Sequence, residues 1–531
     1  MKIQPVVIVA FREFDNLGVG YLASVISEAG YKPLMVDFQS GKKEILKILK
    51  NQKPVIVGFS VIFQYHIYEF EELISYLRDG GIKCHFTAGG QFASLRSEDL
   101  FEMIPTLDSV VRFEGENTFL DLVNCLYSGT DWKDIPGIAY KTSGKITVNQ
   151  LRPVETDLDK FPFPWRSPLR EYALGKKIAT ILAGRGCVNN CSFCYLNEYY
   201  QQSSGPHRRI RKPEKVVLEM ELLHLNEDCS VFLFQDDDFP VKTIHGSEWI
   251  EAFCNELKRK KLADKIMWKI NCRPDEVDYD SFNLMKNHGL FLVFLGIEDG
   301  TDIGLTRMNK HMTVSKCLDG INILKKLGIG FDYGFMPFHP SATFSSLNDN
   351  LHFLREICGD GFSPVTFLKM MPYCATPIES ELRNDERLKG KPGFYDYDFF
   401  DVSLDHYYKF ISDCLINWFR DSEGLLNISK CARNYISVFA RYFDLTPEVT
   451  LIAKDIKTIV SDSNIFLLDK MKELAPIFES GKYNSGNYHD LNSYRDEISL
   501  KHDNFIRAIN DSMRKLLYIV DRQIRLKVVL I

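Results

Sequence analysis

Short apolar runs alternate with stretches of helical periodicity over roughly the first 130 residues. Runs at 6–10 (VVIVA), 34–36 (LMV), 55–59 (VIVGF) and 109–113 (SVVRF) predict strands. Between the first two, Leu22, Val25, Ile26 and Ala29 repeat at i, i+3, i+4 and i+7, the spacing of one helix face, and Gly30 stands where that helix should end. A further helix is expected over about 67–79, and His85 falls inside a strand before Gly89. Strands alternating with helices imply a parallel sheet covered on both faces, which takes its ligands at the carboxyl ends of the strands.

The segment 151–170, LRPVETDLDKFPFPWRSPLR, carries four prolines and reads as an extended connector. A second alternating region runs from about 177 to 385, with strand candidates at 178–183, 231–234, 267–270, 291–297, 331–336 and 365–370. Six such units predict an open, partial (β/α)6 barrel, in which residues just past the strand ends carry the chemistry. Cys187 follows the first of these strands, Asp236 and Asp237 the second, and Asn271 and Arg273 the third, while Glu298 ends the fourth. Beyond about 386 the strand signals stop, and 403–531 reads as helices with a polar break at 481–494. The expected organisation is an α/β chain with a doubly wound, Rossmann-like domain at 1–145, a linker at 146–175, a barrel at 176–385 and a helical domain at 386–531.

Composition narrows the class. The chain has 531 residues, 45% hydrophobic and 26% charged, with a net charge of −6. It thus has the makeup of a soluble globular protein and no basic footprint for nucleic acid. No apolar run reaches the length of a membrane span, and the N-terminus lacks a signal-peptide layout. The expected compartment is the cytoplasm.

The cysteines change the picture most. Cys187, Cys191 and Cys194 lie within eight positions, whereas the other ten are sixteen or more positions apart from one another. Zinc in structural sites takes four ligands, and the nearest histidine, His207, is thirteen positions past Cys194. An iron–sulfur cube held by three thiolates keeps one iron open to a small molecule. On spacing, a cluster, a zinc site and unrelated core cysteines all stay open.

The stretch GCVNNCSFCYL (186–196), a C-x3-C-x2-C loop with Phe193 before the last cysteine, resembles the signature of radical S-adenosylmethionine (SAM) enzymes. FLFQDDDFPVK (232–242), GIEDGTDIGLTRMNKHMTV (296–314) and MPYCATPI (371–378) resemble further stretches of that family, in the same order. The resemblance implies a [4Fe–4S] cluster on Cys187, Cys191 and Cys194, with SAM on its open iron. It also implies Asp236 and Asp237 at the SAM amino end, Glu298 at the ribose, Phe193 near the adenine and Arg273 near the SAM carboxylate. The chain departs from the family at GFMPFHPSA (334–342), which replaces a glycine-rich turn, and at Cys374 and Ala375, where proline and glycine are usual. The run HRRIRKPEK (207–215) reads as a solvated lead-in to a helix.

The N-terminal region contains Gly18, Gly20 and Ala23 as a formal dinucleotide fingerprint, but its glycines fall at the helix start rather than directly after the strand. The region resembles instead the cobalamin-binding module found before many radical SAM domains, through NLGVGYLASVISEAGY (16–31), VGFSVIFQ (57–64), AGGQF (88–92), RFEGENTFLDLV (112–123) and IPGIAY (135–140). The residues this implies for cobalamin are Gly18, Gly20, Ser60, Gly89, Gly90, Glu114, Gly115 and Glu116. The cobalt-ligating D-x-H-x-x-G motif is absent, since the first loop reads Asp15-Asn16-Leu17-Gly18. Cobalamin is therefore expected without a protein histidine on cobalt, with Phe63, Gln64 or Tyr65 as neighbours and His66 as the alternative ligand.

The resemblance to class B radical SAM methyltransferases implies cobalamin-dependent methylation of an unactivated carbon in a small-molecule substrate. An external one-electron reductant such as flavodoxin or ferredoxin would drive it. The alternatives are a radical rearrangement, cyclisation or dehydration without methyl transfer, and a non-catalytic zinc- or nucleotide-binding protein.

Overall fold

In the computed structural model, which describes residues 4–12, 16–241 and 246–529, the N-terminal apolar runs form a seven-stranded sheet. Its strands are β1 (Val6–Ala10), β2 (Pro33–Asp37), β3 (Ile56–Ser60), β4 (His85–Gly89), β5 (Ser109–Val111), β6 (Ile138–Thr142) and β7 (Lys145–Val148), in the order β2-β1-β3-β4-β5-β6-β7. The first five are parallel, as the alternation requires, and β6 and β7 close the edge as an antiparallel hairpin. That hairpin falls partly in the expected linker. Its local signal is Ser143-Gly144, both at positive φ (50° and 81°), the conformation of a two-residue hairpin turn.

Every residue of β1 is buried. Val7 and Val9 pack into one core with Phe59 and Phe86, while Val6, Ile8 and Ala10 pack into another with Ile26 and Phe119. The pleat sends alternate side chains to opposite faces, so a strand covered on both sides reads as unbroken hydrophobic sequence. The predicted helices form over Leu17–Glu28, capped by the Asn16 side chain, and over Ile67–Asp79. Asp15, from the first loop, and Lys242 lie outside the described residues.

The second sheet contains β8 (Arg170–Ala173), β9 (Lys176–Ile181), β12 (Cys229–Phe234), β13 (Met267–Cys272), β14 (Leu290–Glu298) and β15 (Gly330–Phe335), in the order β15-β14-β13-β12-β9-β8. β12 to β15 pair in parallel, and β8 folds back antiparallel on β9. Outside this sheet, β10 (Gly184–Arg185) pairs with β11 (Arg209–Ile210).

Two local expectations are corrected. The run 365–370 forms only a single bridge, Phe338 to Lys369. Its first two N–H groups leave the sheet, Val365 donating to the Asn464 side chain at 2.9 Å and Thr366 to the Tyr333 hydroxyl at 3.2 Å, while Leu368 and Met370 donate to the Phe335 and Phe338 carbonyls at 2.9 and 3.0 Å, a pairing too short to make a strand. Strands also continue past 386, as a hairpin of β16 (Leu388–Lys391) and β17 (Phe394–Tyr397). The remaining chain is helical, with long helices over Leu425–Tyr442, Pro447–Glu479 and Asn492–Val529 and the polar break between the last two. Among the described residues no helix is long and apolar enough to cross a membrane.

Two compact units result. One comprises Met1–Leu169, Thr180–Glu219 and Met371–Asp396, and the other Arg170–Ala179, Met220–Met370 and Tyr397–Ile531. The cysteine loop thus belongs to the same unit as the N-terminal sheet.

Candidate functional site

In the first unit, β10 and β11 form a neck from which the cysteine loop emerges. Gly186 opens the loop at φ 87°, and a Cβ there would lie 1.8 Å from the His207 carbonyl, so only glycine fits. Cys187, Cys191 and Cys194 are each half-buried. The Cys187 sulfur accepts the backbone N–H and side-chain amide of Asn189 at 3.4 and 3.3 Å. The Cys194 N–H donates to the Cys191 carbonyl at 3.1 Å, and Phe193 between them is half-buried. The late turn anchors the loop: the Ile378 N–H donates to the Ser192 carbonyl at 3.1 Å, and the Tyr195 and Tyr373 rings meet edge-on at 5.7 Å.

Arginines on the neck meet acids beyond β5. Arg185 contacts Glu116 at 2.7 Å and Glu114 at 3.8 Å, and Arg209 grips Glu114 through two nitrogens at 2.5 and 2.8 Å. Burial works against the Arg185 charge, but Glu116 and Glu114 outweigh it and hold the guanidinium more basic than usual. Arg211 bonds Glu219 at 2.7 Å and Asp159 at 3.3 Å, and Glu219 also holds Arg166 at 2.7 Å. The run 207–215 is thus not a solvated lead-in: Arg209 and Arg211 are buried because acids on the sheet and connector receive them. Glu114 and Glu116 are engaged by this clamp.

The N-terminal sheet reverses direction of winding between β1 and β3, where an α/β sheet takes its ligand. Ser60 ends β3 and Gly89 ends β4; the Val61 N–H donates to the Gly89 carbonyl at 2.7 Å. A Cβ on Gly90 would lie 2.5 Å from the Val61 carbonyl, so these two loops touch backbone to backbone. Past β3, the rings of Phe63 and Tyr65 stack at 5.3 Å, and Phe63 is 41% exposed, an apolar platform at this edge. His66 lies beside Phe11 at 4.2 Å between ring centres, its Nδ1 2.9 Å from the Glu69 carboxylate. Gln64 is buried and tied to the late turn, donating to Pro372 at 3.2 Å and accepting from the Cys374 N–H at 2.8 Å. Gly18 is exposed, with Gly115 capping the helix after Glu114. Gly20 serves packing: a Cβ there would meet the Trp165 carbonyl of the connector at 2.4 Å.

In the second unit, Glu298 ends β14 at φ 73°, a conformation costly for a residue with a side chain and concentrated at functional sites. A Cβ on Gly296 or Gly334 would lie 3.0 Å from a Glu298 carboxylate oxygen, so two glycines make its cradle. Burial raises its pKa, offset by Lys310 at 3.6 Å and by Arg273. Arg273 is buried, donating to Asp275 at 2.9 and 3.2 Å and to the Lys310 carbonyl at 2.5 Å. Asp236 is buried, its carbonyl accepting from Asn271 at 3.0 Å, whereas Asp237 is exposed.

Sequence reasoning passed over four groups here. Lys310 lies in a quoted stretch without a role. Lys269 stands on β13 with its pKa lowered to about 8, chiefly by burial. Asp299, next to Glu298, is fully buried with its pKa raised to about 6 by burial, and His339 faces it at 3.6 Å with its own lowered to about 4. The Lys310 signal was its place in MNK; burial of the other three depends on contacts distant in sequence.

The donor set of the cysteine loop fits a thiolate-held cluster. Among the described residues no three His, Cys, Asp or Glu side chains gather as a single ion would require; a cluster spreads its thiolates over separate irons.

Comparison with known proteins finds two families along the chain. Residues 181–354 match the Radical SAM superfamily and residues 3–123 the B12 binding domain. The chain is 28% identical over 352 residues to an anaerobic magnesium-protoporphyrin IX monomethyl ester cyclase of Rubrivivax gelatinosus, covering 64% of this chain and 61% of the cyclase. It is 28% identical over 326 residues to a hopanoid C-3 methylase of Methylococcus capsulatus, covering 60% of each. The chain thus spans about three fifths of these relatives. Among solved structures it resembles the cobalamin-dependent SAM radical enzyme OxsB with aqua-cobalamin and SAM bound, at TM-score 0.68 and 19% identity, over 99% of this chain and 81% of that one. It also resembles the methyltransferase TsrM of Kitasatospora setae, at TM-score 0.63 and 17% identity, over 73% and 79%.

Proposed function

We propose, from the premise that this chain is a radical SAM protein with an N-terminal B12-binding domain, that it methylates an unactivated carbon of a small-molecule substrate. The observation that carries this reading is the clamp of Arg185 and Arg209 on Glu114 and Glu116, which holds the thiolate loop and the ligand edge of the N-terminal sheet in one compact unit.

Cys187, Cys191 and Cys194 would hold a [4Fe–4S] cluster, and the Asn189 donors would stabilise the first thiolate. The edge formed by Ser60, Gly89 and the Phe63–Tyr65 platform would receive cobalamin. When bound, these groups supply one-electron cleavage of SAM and a transferable methyl group. Glu298, Asp236 and Asp237 would orient SAM, with Lys310 opposing the rise that burial gives the Glu298 pKa. The reductant would be an external one-electron donor.

Anaerobic reconstitution with iron, sulfide and cobalamin tests this. The expected outcome is a brown cluster chromophore, stoichiometric cobalamin, and both S-adenosylhomocysteine and 5′-deoxyadenosine from SAM. A cyclase among the relatives favours one competing reading, radical cyclisation, which would yield 5′-deoxyadenosine without S-adenosylhomocysteine.

A further inference from the structure

Beneath the second sheet, at the amino ends of its strands, lies a cavity of about 440 Å³, in the size range of small-molecule sites. Met267, Leu290 and Gly330, at or near the starts of β13, β14 and β15, form its floor, and the helices Leu425–Tyr442 and Pro447–Glu479 form its walls. On the first helix Ser429, Arg433, Ser437 and Arg441 recur every fourth residue, so one row of the helix lines the cavity. Ile436 and Ala440 beside that row, and Ala453, Ile456 and Val460 on the second helix, supply an apolar wall. Lys286 and Lys457 also line it, whereas no Asp or Glu does among the described residues.

Three polar groups on the row are buried without a hydrogen-bond partner. They are the Ser429 hydroxyl, in a residue only 2% exposed, and the Nε atoms of Arg433 and Arg441. Each guanidinium is fixed through its other nitrogens: Arg433 to the Phe331 carbonyl at 2.9 Å and to Asp332 at 3.0 Å, Arg441 to the Ile266 carbonyl at 3.0 Å. Ser437, one turn past Arg433, bonds back to the Arg433 carbonyl at 2.9 Å; Ser429 does not. Asp332 is shared by Arg433 and, at 3.7 Å, Lys430, so it leaves the row cationic. Buried donors that lack partners mark a place where a ligand's acceptors belong.

We propose that this cavity binds a single-headed organic anion, a carboxylate or phosphate on an apolar body. The head lies against Ser429, Arg433 and Arg441, and the body against Ile456 and Val460. The cavity is at the amino ends of the strands, whereas Glu298 is at a carboxyl end, so it is a different site from the one proposed for cofactors.

The full-length protein is titrated with 8-anilinonaphthalene-1-sulfonate, an aromatic monoanion that fluoresces in apolar surroundings, and then challenged with decanoate, decyl phosphate or inorganic phosphate. One saturable site is expected. Decanoate or decyl phosphate displaces the probe, the more potent of the two identifying the head group, and inorganic phosphate does not. Arg433→Gln and Arg441→Gln each weaken binding about ten-fold, the scale of one charge-assisted hydrogen bond. Ala453→Phe fills the apolar wall with the charges intact and abolishes saturable binding; it carries the test if the arginine variants do not fold. Absence of a saturable site in the unmodified protein, or binding that survives Ala453→Phe, overturns the proposal. Unchanged affinity in both folded arginine variants overturns the anionic head, and displacement by inorganic phosphate overturns the apolar body.

Discussion

Glu114 and Glu116, just beyond β5, and Glu298, at the end of β14, occupy the same kind of position in two different sheets. In the N-terminal sheet the acids meet Arg185 and Arg209 at hydrogen-bonding distance and join two segments of one unit. In the second sheet Glu298 meets Lys310 at 3.6 Å and also feels Arg273, and it rests over two glycines in a strained backbone. An acid after a strand is therefore an ambiguous signal. What differs between the two places is whether an arginine bonds the carboxylate directly or a lysine stands at a looser distance from it.

Breaking each side of that comparison ranks the contributions. Alanine at Cys187, Cys191 or Cys194 should have the largest effect, removing the absorbance near about 400 nm and all SAM cleavage, as iron and sulfide assays and product chromatography would show. Arg185→Ala leaves Glu114 and Glu116 buried with one partner fewer. Breaking a buried pair costs about 3–5 kcal/mol, and denaturant unfolding should register a loss of that order.

Next in size is the pair beside Glu298. The Asp299 pKa, raised to about 6, makes stability fall as pH rises from the ordinary carboxylate range to about 6; that of His339, lowered to about 4, makes stability rise from there to the ordinary histidine range. The two slopes oppose one another over nearly the same window, so between pH 4 and 6 this pair adds almost no net pH dependence to the stability of the parent protein. Asp299→Asn should expose the rising slope and His339→Gln the falling one, each on the order of 3 kcal/mol, read as unfolding midpoint against pH. Glu298→Gln should weaken SAM binding by about 1–3 kcal/mol with the fold intact, measured by calorimetry. His66→Ala should leave the spectrum of bound cobalamin unchanged; a shift would assign the ligand to His66, whose Glu69 contact resembles the carboxylate that orients a metal-bound histidine.

Much of this architecture was legible because periodicity is local. The unbroken VVIVA run, the Leu22–Ala29 face and the helix over 67–79 each declare themselves within a dozen residues, and the cysteine spacing needs no fold at all. The failures share a cause. The run 365–370 has strand composition, yet Asn464 and Tyr333 take the N–H groups of Val365 and Thr366, and neither is near it in sequence. Arg209 and Arg211 read as solvated because Glu114 and Asp159 lie in other segments. Whether a charge is buried depends on a partner that only the tertiary fold supplies.

The neck of β10 and β11 limits how this protein can be divided. Its arginines, the connector and the late turn hold the thiolate loop to elements on both sides of the connector, so the boundary seen in composition at 151–170 is not a seam in the molecule. Gene shuffling that swapped residues 1–150 for another cobalamin module would discard Glu114 and Glu116 together with the sheet, leaving Arg185 and Arg209 facing foreign surface. Exchange between relatives is then viable only when the neck travels with its acids, and the two halves are bound to be inherited as one piece.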